Sequence, residues 1–199
     1  MEFLFIRAAF LSLFSFEFLN SIKVFKLPLH FPWIFLAVIT SGSWLVWEKI
    51  YKKRFDFSRL VAGLFLFQLF SDTVAGNIFN FYGKFLWYDR FTHLTGGAII
   101  GVLVILFLSN FNKKSKWNFK LSHLIFFAVS ATALIVSFYE LWEYFIDAGL
   151  GFSVLIDKYD TPDDILFDLI GAVASISLLA FILRKRGYFS PNSIDSNTK

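Results

Sequence analysis

The amino-acid sequence predicts an all-α polytopic membrane protein, a six-transmembrane-helix bundle with both termini cytoplasmic. Three observations carry this reading. Hydrophobic residues make up 57% of the chain and charged residues 17%, far from a soluble average. The apolar residues fall into six runs, near 3–20, 32–48, 59–82, 90–109, 121–147 and 162–184, each suited to crossing about 30 Å of hydrocarbon at about 1.5 Å per residue. Finally, Lys and Arg gather in alternate connections.

The first run carries Glu2, Arg7 and Glu17 but no basic leader and no small-x-small cleavage site, so it reads as a membrane helix rather than a removable signal. Pro28 and Pro32 punctuate the passage to run two. Lys49, Lys52, Lys53, Arg54 and Arg59 follow run two; Lys113, Lys114, Lys116 and Lys120 follow run four; Arg184, Lys185 and Arg186 follow run six. Opposite them stand only Lys23, Lys26, Lys84, Arg90 and Lys158, and the positive-inside bias therefore sets both termini in the cytoplasm. Trp33, Trp87 and Trp142 then fall at the outer boundary and Trp47 and Trp117 at the inner one. Residues 1–187 form one transmembrane domain, and the polar segment 188–199 has the composition of a disordered tail. The expected location is the cytoplasmic (inner) membrane, multi-pass, with the lipid bilayer as partner. The net charge of +4 follows from this topology and calls for no nucleic acid.

Acidic residues show the opposite bias. Asp72, Asp89, Glu140, Glu143, Asp147, Asp157, Asp160, Asp163, Asp164 and Asp168 all belong to the outer half. Counting from the helix ends at 1.5 Å per residue, His93, Asn77 and Glu143 lie about 6 Å inside their spans, Glu140 and Asp168 about 10 Å, and Asp72 about 15 Å. Helical spacing gathers them into stripes, because residues three or four apart share a face. Asp89 pairs with His93, Glu140 with Glu143, and Asp160 with Asp164 and Asp168. Ionisable groups at such depths cost a few kcal/mol if they face lipid, so the stripes are expected to meet in a polar pocket that opens outward. Gly96, Gly97, Ala98 and Gly101 in run four, and Gly171, Ala172, Ala174, Ser175 and Ser177 in run six, read as packing residues that let helices approach closely. Thr161-Pro162-Asp163-Asp164 reads as a helix start, with Thr161 as N-cap and Asp163 in the favoured first turn; Asp168 lies a turn deeper, where no cap needs it. Glu48, His30 and His123 fall at or beyond span ends, where solvation explains them.

Zero cysteines exclude disulfides, thiolate catalysis and Cys-ligated zinc. No phosphate loop, nucleophile elbow or dinucleotide fingerprint is present. One imidazole among several carboxylates suits a divalent metal ion, and the same groups could serve as an acid–base centre. The candidate metal ligands are His93, Glu140, Glu143, Asp164 and Asp168; the candidate catalytic residues are His93, Glu140, Asp164 and Asp168; Asp72, Asp89 and Asp160 support them. The target this suggests is a lipid or cell-envelope headgroup. The alternatives are a proton- or cation-coupled transporter or lipid-binding protein, and a scaffold whose buried polar network fixes helix register.

Three blocks, YDRFTHLTGG at 88–97, FYELWEYF at 138–145 and DKYDTPDDILFDLIGA at 157–172, resemble in order and spacing the YjdF-like family of small inner-membrane proteins of unknown function. The resemblance covers residues 72 to about 175 and rests on Tyr88, Asp89, Arg90, His93, Gly97, Tyr139, Glu140, Glu143, Asp160, Thr161, Asp164, Gly171 and Ala172. It implies the same fold and the same residue set, with no reaction attached. A more distant likeness is to VanZ-like proteins, linked to glycopeptide resistance. The chain departs from that pattern at Asp168, where Asn is usual, at Glu143, where Gln is usual, and in having no matching Arg ahead of Asp164.

Overall fold

A computed structural model describes residues 2–25, 27, 33–52, 57–114, 119–150 and 160–185. Among them there is no strand, and the helices are α1 (Glu2–Ser21), α2 (Trp33–Lys52), α3 (Ser58–Phe70), α4 (Phe81–Lys84), α5 (Tyr88–Lys114), α6 (Leu121–Leu150) and α7 (Asp160–Lys185). The expected prolines of the first connection, His30, Trp117, Asp157 and the tail 188–199 lie outside the described residues.

Among the described residues five segments are long and apolar enough to cross a membrane: Phe3–Ser21, Ser58–Ile78, Tyr88–Asn112, Leu121–Gly149 and Thr161–Lys185. Of the long helices the exception is α2, whose last turns carry Glu48, Lys49 and Lys52. Exposure in the long helices is inverted relative to a soluble protein. On α6, Phe126 and Phe138 are exposed while Glu140 is fully buried, as expected where hydrocarbon replaces water around the molecule.

Contacts divide the chain into two compact units, Met1–Thr92 with Tyr144–Ile156, and His93–Glu143 with Asp157–Lys199. In the first unit α1 packs along α2 through aromatic side chains. Trp47 is fully buried, with Phe10 and Tyr51 stacked on it at ring-centroid distances of 5.8 and 5.7 Å, and its indole N–H donates to the Ser58 carbonyl at 3.0 Å. Trp33 is also buried and donates to the Leu27 carbonyl at 3.2 Å. These two tryptophans therefore act as core anchors rather than interfacial ones, whereas Trp87 and Trp142 are exposed. Glu48 likewise differs from its solvated reading. It accepts from Arg7 Nε at 2.5 Å and Nη2 at 3.1 Å, a two-pronged pair that ties α1 to α2.

At Ser71 the hydrogen bonding of α3 widens, and Ser71–Ile78 continues as a π-helix. The Phe79 N–H reaches back five residues to the Val74 carbonyl at 2.9 Å, and the Asn77 amide donates to the Asp72 carbonyl at 2.7 Å. Such turns are rare and concentrate at functional positions. Asn80, at φ 55°, ends the segment in the left-handed conformation that Asn tolerates better than most residues.

The second unit is built on α5, α6 and α7. Ile105, Leu124, Ala128, Ala172 and Ile176 are buried together, with Val104, Leu108 and Leu179 packed against them. Above this core α5 and α7 touch backbone to backbone. A Cβ added at Gly97 would lie 2.0 Å from the Asp168 carbonyl oxygen, and one at Gly171 2.0 Å from that of Leu94. The Ser175 hydroxyl donates across the same seam to the Ala98 carbonyl at 2.9 Å.

Gly97→Ala and Gly171→Ala should each destabilise the detergent-solubilised protein by about 1–3 kcal/mol, the usual cost of overpacking. Gly42→Ala, where the added Cβ meets nothing within 4 Å, should be neutral or slightly stabilising. Thermal unfolding of the three variants beside wild type checks this.

Candidate functional site

The seam between α5 and α7 sets the geometry of a polar centre within the second unit. His93 stands one turn ahead of Gly97 on α5, so it shares the face that meets α7. Asp164 and Asp168 stand four residues apart on α7, and both are buried. His93 Nδ1 lies 3.2 Å from Asp168 Oδ2, and its Nε2 lies 3.6 Å from Asp164 Oδ1. From α6, Glu140 Oε1 approaches Nδ1 at 3.5 Å. Glu143, three residues on, is also buried, and His93, Glu140 and Glu143 each offer a ligand atom within 4.8 Å of the others. One imidazole thus sits among carboxylates from two other helices.

Glu140 is the anomaly in this set. Its side chain is fully buried, and neither carboxylate oxygen has a hydrogen-bond partner among the described residues. A buried carboxylate ordinarily collects several donors, because leaving one without them costs kilocalories. The histidine is the nearest cationic candidate, and it is shared with Asp164 and Asp168.

All five candidate metal ligands, His93, Glu140, Glu143, Asp164 and Asp168, belong to this unit. Of the supporting residues, Asp160 begins α7, but its side chain lies outside the described residues. The helix starts there, two residues earlier than a Thr161 cap implies, a shift of ordinary size for helix ends. Asp89 is half-buried in the first turn of α5, and its carbonyl accepts from the Thr92 hydroxyl at 2.7 Å.

Asp72 belongs to the first unit and has a network there. The Tyr82 hydroxyl donates to Asp72 Oδ1 at 3.1 Å, and the Gln68 amide lies 3.4 Å from both carboxylate oxygens while donating to the Thr92 carbonyl at 3.2 Å. The Tyr88 hydroxyl donates to the Ser71 carbonyl at 3.0 Å. Asp72 is therefore held by Gln68 and Tyr82; the adjacent hydroxyl of Thr73 turns instead to Glu17. Tyr82 and Glu17 are polar-network members that spacing alone does not reveal. Each meets its partner from another part of the chain, and the one available signal was an acid inside run one.

Residues 3–185 match a family model described as a predicted membrane protein, DUF2238. The chain belongs to the DUF2238 family. The YjdF-like blocks are a likeness within it, and the match extends over all seven helices, well beyond those blocks. DUF2238 names a membrane protein and no reaction, so for this member of DUF2238 the chemistry rests on its own side chains. No curated protein and no solved structure matches the chain.

The Tyr82 phenol is held well above its ordinary value of 10.0, first by burial and then by the Asp72 carboxylate. A raised folded-state value means the contribution to stability is complete below the unfolded value and declines as pH rises through about 10 toward the folded one. Tyr82→Phe should lose about 1–2 kcal/mol at neutral pH. It should also show a shallower fall in stability above pH 10 than wild type, measured by unfolding across pH 7–11.

Proposed function

We propose that His93, Glu140, Glu143, Asp164 and Asp168 form a divalent-cation centre that engages a lipid or cell-envelope headgroup at the outer face of the cytoplasmic membrane. The observation that carries this is the buried Glu140 carboxylate, whose oxygens lack hydrogen-bond donors beside an imidazole already shared by two aspartates. Several carboxylates around one histidine are an electrostatic deficit that a divalent ion removes, and the mixed oxygen and nitrogen donors suit Mn, Fe or Zn better than a purely oxygen-seeking ion.

Depth supports a headgroup target. His93 lies in the second turn of α5, Asp164 in the second turn of α7, and Glu143 two turns before the end of α6, so the centre stands near the helix ends rather than at mid-span. A metal there could polarise a phosphoryl or carbonyl oxygen of a headgroup while the hydrocarbon tails stay in the bilayer. The His93–Asp168 pair at 3.2 Å favours a second, metal-free reading, in which Asp168 orients His93 as an acid–base group. The VanZ-like pattern adds nothing to either, since Asp168 and Glu143 depart from it.

The proposal includes six spans with both termini cytoplasmic, α2 crossing despite its charged last turns. What supports this is the Lys and Arg asymmetry together with the pairing of α1 along α2. The chain has no cysteine, so single cysteines can report sidedness. Lys23→Cys should react with an impermeant maleimide on intact cells, and Lys52→Cys only after permeabilisation; reaction of both from one side would remove α2 from the set of spans.

Elemental analysis of protein purified without chelator or metal-affinity resin should find about one divalent ion per chain in wild type, as expected for one carboxylate–imidazole centre. It should be lost in His93→Ala and Glu140→Gln, and chelation should lower the unfolding temperature of wild type only. Wild type carrying no more metal than the variants would sink the metal reading, and retained activity dependence on both His93 and Asp168 would then favour the acid–base one.

A further inference from the structure

The first unit contains a second buried carboxyl group that the proposed centre does not use. Glu17, on α1, is fully buried, as are Thr40 on α2 and Thr73 in the π-helical segment; Asn20, three residues after Glu17, is 2% exposed. The Thr73 hydroxyl donates to Glu17 Oε1 at 2.7 Å. Glu17 Oε2, Thr40 Oγ1 and Asn20 Nδ2 are buried without a hydrogen-bond partner among the described residues. Glu17 makes no ion pair among the described residues. Arg7, the basic group of its own helix, is ten residues away, about 15 Å along the axis, and is committed to Glu48. On α2 the charged groups Glu48, Lys49 and Lys52 lie at least eight residues beyond Thr40, about 12 Å. In the 58–78 segment the neighbouring acid, Asp72, is engaged by Gln68 and Tyr82.

A carboxylate inside a membrane protein needs a counter-charge, or it needs to be neutral. Among the described residues no basic side chain pairs with Glu17, and the oxygens of the cluster are too few for the five or six ligands that an alkali-metal ion prefers. A proton requires one acceptor only, and the buried Thr40 hydroxyl is a group of that kind left without a partner among the described residues. We infer that Glu17 is a proton-binding site, holding an un-ionised carboxyl group that accepts from Thr73 at Oε1 and donates to Thr40 from Oε2. The proton comes from water on loading and returns to it on release. Release leaves a charge whose partners are two hydroxyls and the Asn20 amide. Thr73 immediately follows Asp72, so one strand of π-helical backbone presents a hydroxyl to Glu17 and a carboxylate to the Tyr82 network.

Infrared difference spectroscopy of wild type against Glu17→Gln in liposomes in deuterated buffer at neutral pH tests this. The amide keeps both hydrogen bonds, so the variant should fold and unfold as wild type does, and the difference spectrum should show loss of one un-ionised carboxyl C=O band. Loss of a carboxylate band instead overturns the proposal. Dicyclohexylcarbodiimide, which reacts with protonated membrane carboxyls, should modify Glu17 in wild type, with a yield that falls as pH rises and is the same in sodium and choline chloride. Protection by sodium would make this a cation site and overturn the proton assignment; so would absence of the adduct at acidic pH. The result does not depend on the His93 centre, because Glu17→Gln should leave bound metal unchanged.

Discussion

The contact of α5 with α7, backbone on backbone at Gly97 and Gly171, is the constraint on which the polar centre depends. Hydrocarbon solvates leucine as well as another helix does, so helices in a bilayer gain little by burying apolar faces against each other. What they gain is close packing and hydrogen bonds, and both require small residues at the seam. With the Asp168 carbonyl lying where a Cβ of Gly97 would be, the side chains of His93 and Asp168 on the adjoining turns have no choice but to meet. Ser175 bonding to Ala98 fixes the same register a turn further along. The carboxylates themselves oppose the arrangement, since several like charges near one imidazole repel. The seam supplies the attraction that holds these groups together.

The first unit reaches stability by different means. Its helices are joined by a bidentate Arg7–Glu48 pair and by Trp47 stacked among Phe10 and Tyr51, with the indole N–H satisfied by Ser58. Large aromatic surfaces make up in dispersion what the lipid denies in hydrophobic drive. The π-helical turns of Ser71–Ile78 are costly relative to α, and side chains hold them there: Asn77 caps the Asp72 carbonyl, Thr73 is tied to Glu17, and Tyr88 occupies the Ser71 carbonyl. Asp72 and Thr73, neighbours in this segment, serve different partners.

Much of this was legible in the sequence because the bilayer enforces simple rules. Apolar length gave the long helices to within a few residues, and the stripes at spacings of three and four pointed to His93, Glu140, Glu143, Asp164 and Asp168, which fall in one unit, and to Asp89, which falls in the other. Small residues at 97 and 171 could be read as packing positions, since little else explains them in an apolar helix. The rest was hidden for specific reasons. Trp33 and Trp47 fit an interfacial belt by position, and only the tertiary partners of their N–H groups reveal them as buried. Glu48 seemed solvated because its partner is forty-one residues away. A π-turn changes the helical phase by a fraction of a turn, which hydropathy does not register. Glu17 stood alone in its stripe, and its partners come from two other segments.

The buried acidic groups of the two units, on the readings proposed above, answer the same energetic problem in opposite ways. A charge withdrawn from water costs several kcal/mol, and the cost falls when an opposite charge or a proton arrives. Around His93 the carboxylates are plural and close, so neutralising each with its own proton would leave several acidic O–H donors competing for one ring nitrogen, whereas a single divalent ion satisfies them together. Around Glu17 there is one carboxyl group and two hydroxyls, too little negative charge and too few ligands for a divalent ion, but enough for a shared proton. On the readings proposed above, the number of carboxyl groups that the helices bring together, several around His93 and one at Glu17, decides which cation each place would hold.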